Sequence, residues 1–129
     1  MLDTNICIYV ISNRSIELVQ KFRDMDQHDI SVSVIVACEL AYGVSKSQHR
    51  EKNKTTLAVF LSTLTIDAMT DDVMWHYGDL RCQLEAAGTR IGENDMWIAA
   101  HALTNNAILV TNNVLEFQGV PGLTLENWV

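Results

Sequence analysis

The chain has 129 residues, 48% of them hydrophobic, and carries 16 acidic against 9 basic residues for a net charge of −7. That length makes one domain, residues 1–129, with enough apolar material for a core of its own. The acidic balance excludes the broad basic footprint of a general nucleic-acid binder. The longest apolar run, Ile6 to Ile11, falls far short of a membrane span of roughly 20 residues. No basic segment leads into an apolar one at the start, so a cytoplasmic protein without membrane contact is expected.

In chain order, Met1 to Asp3 reads as the end of a short strand. A central strand usually has about 5–6 residues, so further residues upstream, or a trimmed start, are expected. Ile6–Ile11 and Ser15–Met25 read as helices, the second with Ser15 as N-cap. Ile30–Val34 alternates with period two and reads as a strand. Helices follow at Val36–Ser45, Glu51–Leu64 and Asp71–Ala87, the last closed by Gly88. Asn94–Asn105 is a further helix, Ala107–Thr111 a strand, and Leu123–Leu125 a last short strand after Pro121-Gly122. Strands alternating with helices predict an α/β sandwich with a mainly parallel sheet. In such sheets sites form beyond the carboxyl ends of the strands, where Asp3 and Thr111–Asn113 fall.

Cys7, Cys38 and Cys82 are odd in number, widely spaced and set in apolar helical stretches. They read as reduced, buried small residues, with neither zinc nor a disulfide expected. Lys46, Arg50, Lys52 and Lys54 cluster, and nothing basic follows Arg90; the simplest reading of the cluster is a solvated helix face. His76 and His101 read as surface or packing residues, and Trp75, Trp97 and Trp128 as core or interface residues. A mean hydropathy of +0.07 is high for a small domain, so a partner is expected to cover some apolar surface.

Three acids stand apart from the polar stretches that hold most of the others. Asp3 lies between Leu2 and the apolar helix, Glu39 is the only charge from Ser31 through Ser45, and Asp95 opens the apolar run Met96–Leu103. A carboxylate in apolar surroundings costs several kcal/mol unless compensated, and no basic residue is near any of them in sequence. Singly, Asp3 could cap a helix, Asp95 could answer a helix dipole, and Glu39 could face solvent. Together they would suit one hard divalent cation, Mg²⁺ or Mn²⁺.

Five segments carry a resemblance in order: Met1-Leu2-Asp3-Thr4-Asn5, Glu39-Leu40-Ala41-Tyr42-Gly43, Ile91–Asp95 running into Ile98–Ala102, Leu109–Asn113 with Glu116-Phe117, and Gly122-Leu123 with Glu126-Asn127-Trp128. Over essentially the whole chain the sequence resembles the PIN-domain ribonucleases, in particular the VapC toxins of bacterial type II toxin–antitoxin pairs. The resemblance implies a three-layer α/β/α fold and metal-dependent cleavage of RNA phosphodiesters. It assigns Asp3 and Asp95 as principal ligands of Mg²⁺ or Mn²⁺, with Glu39 completing the cluster directly or through water. Thr111 would orient Asp3, and Thr4 and Asn5 would support the site, Asn5 by holding substrate or a metal-bound water. Many members carry Asp where this chain has Asn113. With Glu116 as a nearby replacement, one firmly held ion is expected rather than two. The resemblance also implies transfer RNA as substrate, a homodimer, and a VapB-type antitoxin through which alone operator DNA would be contacted.

Two other readings compete. A receiver-like phosphoryl-transfer domain would want an acidic pair at its first strand and a late Lys, but only Asp3 is there and no Lys follows Lys54. A PIN-fold protein that binds and buffers an antitoxin without cutting RNA is the second, left open by Asn113.

Overall fold

The computed structural model describes residues 1–129. Its elements run α1 (Thr4–Ile11), α2 (Ile16–Asp24), β1 (Ser31–Ser33), α3 (Val34–Ser45), α4 (Arg50–Leu61), β2 (Thr65–Asp67), α5 (Val73–Ala87), α6 (Glu93–Thr104), β3 (Leu109–Val110), α7 (Val114–Phe117) and β4 (Leu125–Glu126).

Two parallel strand pairs, β1–β2 and β3–β4, are stitched together by the first residues of the chain. Leu2 N donates to Ser31 O at 2.8 Å on one side, while Val110 N donates to Met1 O at 2.8 Å and Asp3 N to Val110 O at 2.9 Å on the other. The expected first strand is thus a single bridged residue, Leu2, yet it occupies the middle of the order β2–β1–Leu2–β3–β4. Leu2 is fully buried, and its truncation to Ala would cost about 2–5 kcal/mol. Helices cover this sheet to complete the three-layer α/β/α sandwich.

Local chemistry explains where elements start. Asp3 caps α1 by accepting from Thr4 N at 2.8 Å, so the helix begins two residues before the apolar run. Ser33 ends β1 because its hydroxyl accepts from Ile35 N at 3.1 Å, which turns the chain into α3. Gly88 closes α5 at φ 67°, a left-handed position that suits glycine. Helix α6 is buried on several sides at once, and Ala99, Ala100 and Ala102 keep it thin enough to pack there.

The structure corrects some expectations. The helix expected over Glu51–Leu64 stops at Leu61, and Thr65–Asp67 forms β2, an edge strand too short and too exposed to announce itself. The one-turn helix α7 was not expected, and the last strand lies at Leu125–Glu126 rather than Leu123–Leu125. Only Cys7 is buried; Cys38 and Cys82 are exposed. Each lies two residues from its helix's inward residues, Val36 and Leu40 in α3, Leu80 and Leu84 in α5, which places it on the opposite helix face. Trp75 is 70% exposed and forms no part of the core. Trp97 instead stacks on Tyr77 with ring centroids 3.9 Å apart. No helix is long and apolar enough to cross a membrane.

Candidate active site

Four elements deliver carboxylates to the carboxyl end of the sheet. Asp3 leaves the central bridge, Glu39 projects from the middle of α3, Asp95 from the first turn of α6, and Glu116 from α7. Asp3 is 6% exposed. Its Oδ1 takes the Thr4 N–H and its Oδ2 takes the Thr111 hydroxyl at 2.8 Å. Thr111 Oγ1 in turn accepts from Asn113 N at 3.0 Å. One buried hydroxyl therefore ties the end of β3 to Asp3. Thr4 Oγ1 donates to Glu39 Oε2 at 3.1 Å, linking α1 to α3. Glu116 Oε1 accepts from Gly92 N at 3.0 Å, capping α6 from outside the helix.

The charges tell more than the distances. Burial pushes Asp3 above the ordinary carboxylate range, against the Thr111 and Thr4 donors that pull it down. Burial likewise raises Glu39, aided by the charge on Asp3 and opposed by the side chains of Thr4 and Asn94. Asp95 is raised furthest, from 3.8 to about 6, by burial first and then by the charges of Asp3, Glu116 and Glu39. Asp95 thus senses the charges of the other three carboxylates, and Glu39 that of Asp3. None forms a salt bridge: the ion pairs of the chain are Arg81–Glu85 and Arg90–Glu85.

The donor set fits a hard cation. Glu39 Oε1 is buried and receives no hydrogen bond of good geometry, the Asn94 side chain being close enough only to draw the carboxyl down a little. Such an acceptor is costly unless something else satisfies it. As the side chains lie, no three of them form a finished metal cage; the fit rests on repulsion that a cation would relieve and on the orphaned oxygen.

Of the residues singled out from sequence, Asp3, Thr4, Glu39, Asp95, Thr111 and Glu116 come together. Asn113 joins through its backbone N–H only and is exposed, as is Asn5. Sequence reasoning missed Gly92, whose N–H holds Glu116 and whose added Cβ would stand 3.4 Å from Asp95 Oδ2. It also missed Ser33. That hydroxyl, fully buried, lies 2.7 Å from Nδ1 of His101, itself 1% exposed. Since Ser33 caps α3 and His101 belongs to α6, the pair locks together the two helices that carry Glu39 and Asp95. Its signal was faint: a serine at a strand end and a histidine in an apolar helix.

The PIN domain pattern matches residues 1–120. Ribonuclease VapC2 of Rickettsia felis is 46% identical over 99% of this chain and 96% of its own length. The chain belongs to the VapC group of PIN-domain toxins. The tRNA(fMet)-specific endonuclease VapC of Shigella flexneri is 37% identical, covering 99% of this chain and 96% of that protein. Among solved structures, VapBC2 from Rickettsia felis bound to a DNA fragment of its promoter superposes with a TM-score of 0.95 at 45% identity. It spans 100% of this chain and 98% of that one. At the level of the family, then, this is a ribonuclease toxin of a toxin–antitoxin system.

Proposed function

We propose that this VapC-type chain is a metal-dependent endoribonuclease that hydrolyses phosphodiester bonds in transfer RNA. The observation that carries it is the cluster Asp3–Glu39–Asp95–Glu116, in which burial and the charges of the other three raise the proton affinity of Asp95, burial and Asp3 raise that of Glu39, and no salt bridge offsets the charge. Asp3, Asp95 and Glu39 would hold Mg²⁺ or Mn²⁺, which when bound supplies an activated water and offsets charge on the phosphate. The chain's own groups do the positioning. Thr111 fixes the Asp3 carboxylate, and Thr4 fixes both Asp3 and Glu39. Glu116 is held at the mouth of α6 by Gly92. Asn113 carries no charge, so one site of full strength is proposed rather than two. Asn5, exposed beside Thr4, is free to meet substrate. The net charge of −7 is answered at the same point, because the acidic cluster repels RNA until a cation neutralises it.

The Shigella protein's specificity for tRNA supports the substrate class. The Rickettsia felis VapBC2 complex with promoter DNA supports a VapB-type antitoxin as partner, with operator DNA reached through the antitoxin, and the family resemblance adds a toxin homodimer. A groove of about 240 Å³ between α1, α3 and α4, lined by Ile8, Ile11, Leu40, Val44 and Leu57 with Glu39 on its wall, suits an apolar antitoxin segment.

In the test, the purified chain cleaves a structured RNA with Mg²⁺ or Mn²⁺, and cleavage disappears with EDTA and in Asp95→Asn. Persistence under either condition overturns the metal mechanism. Mapping the cut sites across total cellular RNA then checks the substrate, and cuts concentrated outside transfer RNA would refute that part.

A further inference from the structure

The acidic balance leaves open what grips RNA away from the carboxylates. Of nine basic residues, four fall within residues 46–54. Of the other five, Arg81 and Arg90 face Glu85, Arg14 lies over Tyr9 and Lys21 over Trp128, and Arg23 is exposed on α2. Lys46, Arg50, Lys52 and Lys54 are all exposed and none forms a salt bridge. They surround the turn between α3 and α4, the densest group of cations in the chain, with Glu51 as the one acid among them.

That place is connected to the acids. Glu39, Tyr42 and Lys46 follow one another at i, i+3 and i+7 of α3, which puts them on one helix face. Lys46 stands about 10 Å beyond Glu39 along the axis at 1.5 Å rise per residue. Tyr42 is 66% exposed, an unusual position for a large aromatic, and Lys46 Nζ lies 4.8 Å from its ring centroid. Gly43, beside it, has nothing within 4 Å of where a Cβ would be, so the approach is unobstructed. A shallow depression lined by Arg50 and Lys54 adjoins the same helix at Val44.

A largely exposed aromatic ring with an ammonium over one face, which can swing to a phosphate when a base arrives, and further cations nearby is the combination that binds single-stranded nucleic acid, the ring taking a base and the cations the backbone. We infer that Tyr42 and Lys46 form an RNA subsite, with Arg50 and Lys54 continuing it. Tyr42 stacks an unpaired base next to the scissile phosphate, and the cations bind flanking phosphates. The subsite rests on the ribonuclease reading, and it explains how an acidic protein can direct its few cations at one strand.

The test measures binding of a fluorescently labelled RNA hairpin in the inactive Asp95→Asn background with Mg²⁺ present. Tyr42→Ala is expected to weaken binding about tenfold, the range for losing one stacked base, while Tyr42→Phe keeps it. Lys46→Gln is expected to lower the slope of log K against log salt by about 0.7, as for one phosphate contact on a single strand. Unchanged affinity in Tyr42→Ala together with an unchanged slope in Lys46→Gln overturns the subsite. So does equal loss in Tyr42→Phe, and so does a dissociated dimer at unchanged RNA affinity, which would make Tyr42 a subunit contact. Cleavage by the unaltered chain is scored separately. Its absence refutes the ribonuclease reading, whereas its presence with variants that bind normally refutes the subsite alone.

Discussion

Helices α3 and α6 meet at two polar sites that are built in opposite ways. Where Ser33 faces His101, both groups are enclosed and share a 2.7 Å hydrogen bond at Nδ1, no carboxylate takes part, and His101 Nε2 is left without a partner. Where Glu39 faces Asp95, charge is gathered without a matching cation, and Glu39 Oε1 receives no hydrogen bond of good geometry. Withdrawal from water magnifies both arrangements: the Ser33–His101 hydrogen bond is strengthened, and an unmatched cluster of charge stores repulsion that a ligand can release. The Ser33–His101 pair therefore holds the frame on which the charged site is displayed. Changing one member of each site separates the two roles.

The largest effect is expected at Asp95. Asp95→Asn removes one ligand and should lower RNA cleavage by more than about 100-fold, since losing even an outer partner of a ligand costs 10–100-fold. The same change relieves repulsion. The metal-free protein should gain on the order of 1 kcal/mol, a modest figure because Asp95 stays partly hydrated, or a few degrees in Tm. Turnover assays and thermal melts in EDTA check the two halves, and a variant that is both inactive and less stable would contradict the account of stored repulsion.

Next comes Thr111→Val, which keeps the shape and removes the hydroxyl. Asp3 Oδ2 then loses its donor and Asn113 N its acceptor. Affinity for Mn²⁺, measured by calorimetry, should fall about 10–100-fold with little change in the fold. Equal affinity would show that Thr4 alone positions Asp3.

Much of this was legible in the sequence because its cause was local. The helices announced themselves through apolar periodicity, and the acids through the cost of charge in apolar surroundings. That Asp3, Glu39 and Asp95 belong together came from the ordered family motifs, because spacing along a chain says nothing about which carboxylates meet. The elements missed were those stabilised only by neighbours. Strand β2 exists because β1 offers its edge, and α7 is a single turn. The strand expected over Met1–Asp3 was legible, though what pairs it, Ser31 on one side and Val110 on the other, was not. Cys38 and Cys82 looked buried because composition was read where helix phase decided. Gly92 and Ser33 act through contacts 24 and 68 residues away in sequence, beyond any local pattern.

The Ser33–His101 pair gives a smaller effect of another kind. Ser33→Ala leaves His101 Nδ1 buried without a partner and removes the α3 cap at Ile35. Denaturant melts should show a loss of about 1–3 kcal/mol. Ser33→Thr, which keeps the hydroxyl, should recover most of it. Cleavage per folded molecule should change far less than in Thr111→Val.

The smallest expected effect is on the pH dependence of stability, and its sign is set by the two sites pulling against each other. Asp95 holds its proton to about pH 6 in the folded chain against 3.8 as the ordinary value. Between those values the folded state binds more protons than the unfolded one. Its contribution to stability is therefore present at the acidic end and is lost as pH rises through about 6. His101 acts the other way, because burial lowers its proton affinity below the usual histidine value, so its contribution is lost as pH falls. Comparing the metal-free protein with Asp95→Asn cancels His101, which both retain. From pH 5 to 7.5 the Tm of the unaltered chain should fall by a few degrees relative to the variant. With Mg²⁺ added that difference should reverse, since the ligands must be deprotonated to bind it and binding stabilises the fold. Parallel Tm curves for the two proteins in EDTA would mean that the four carboxylates do not share one field.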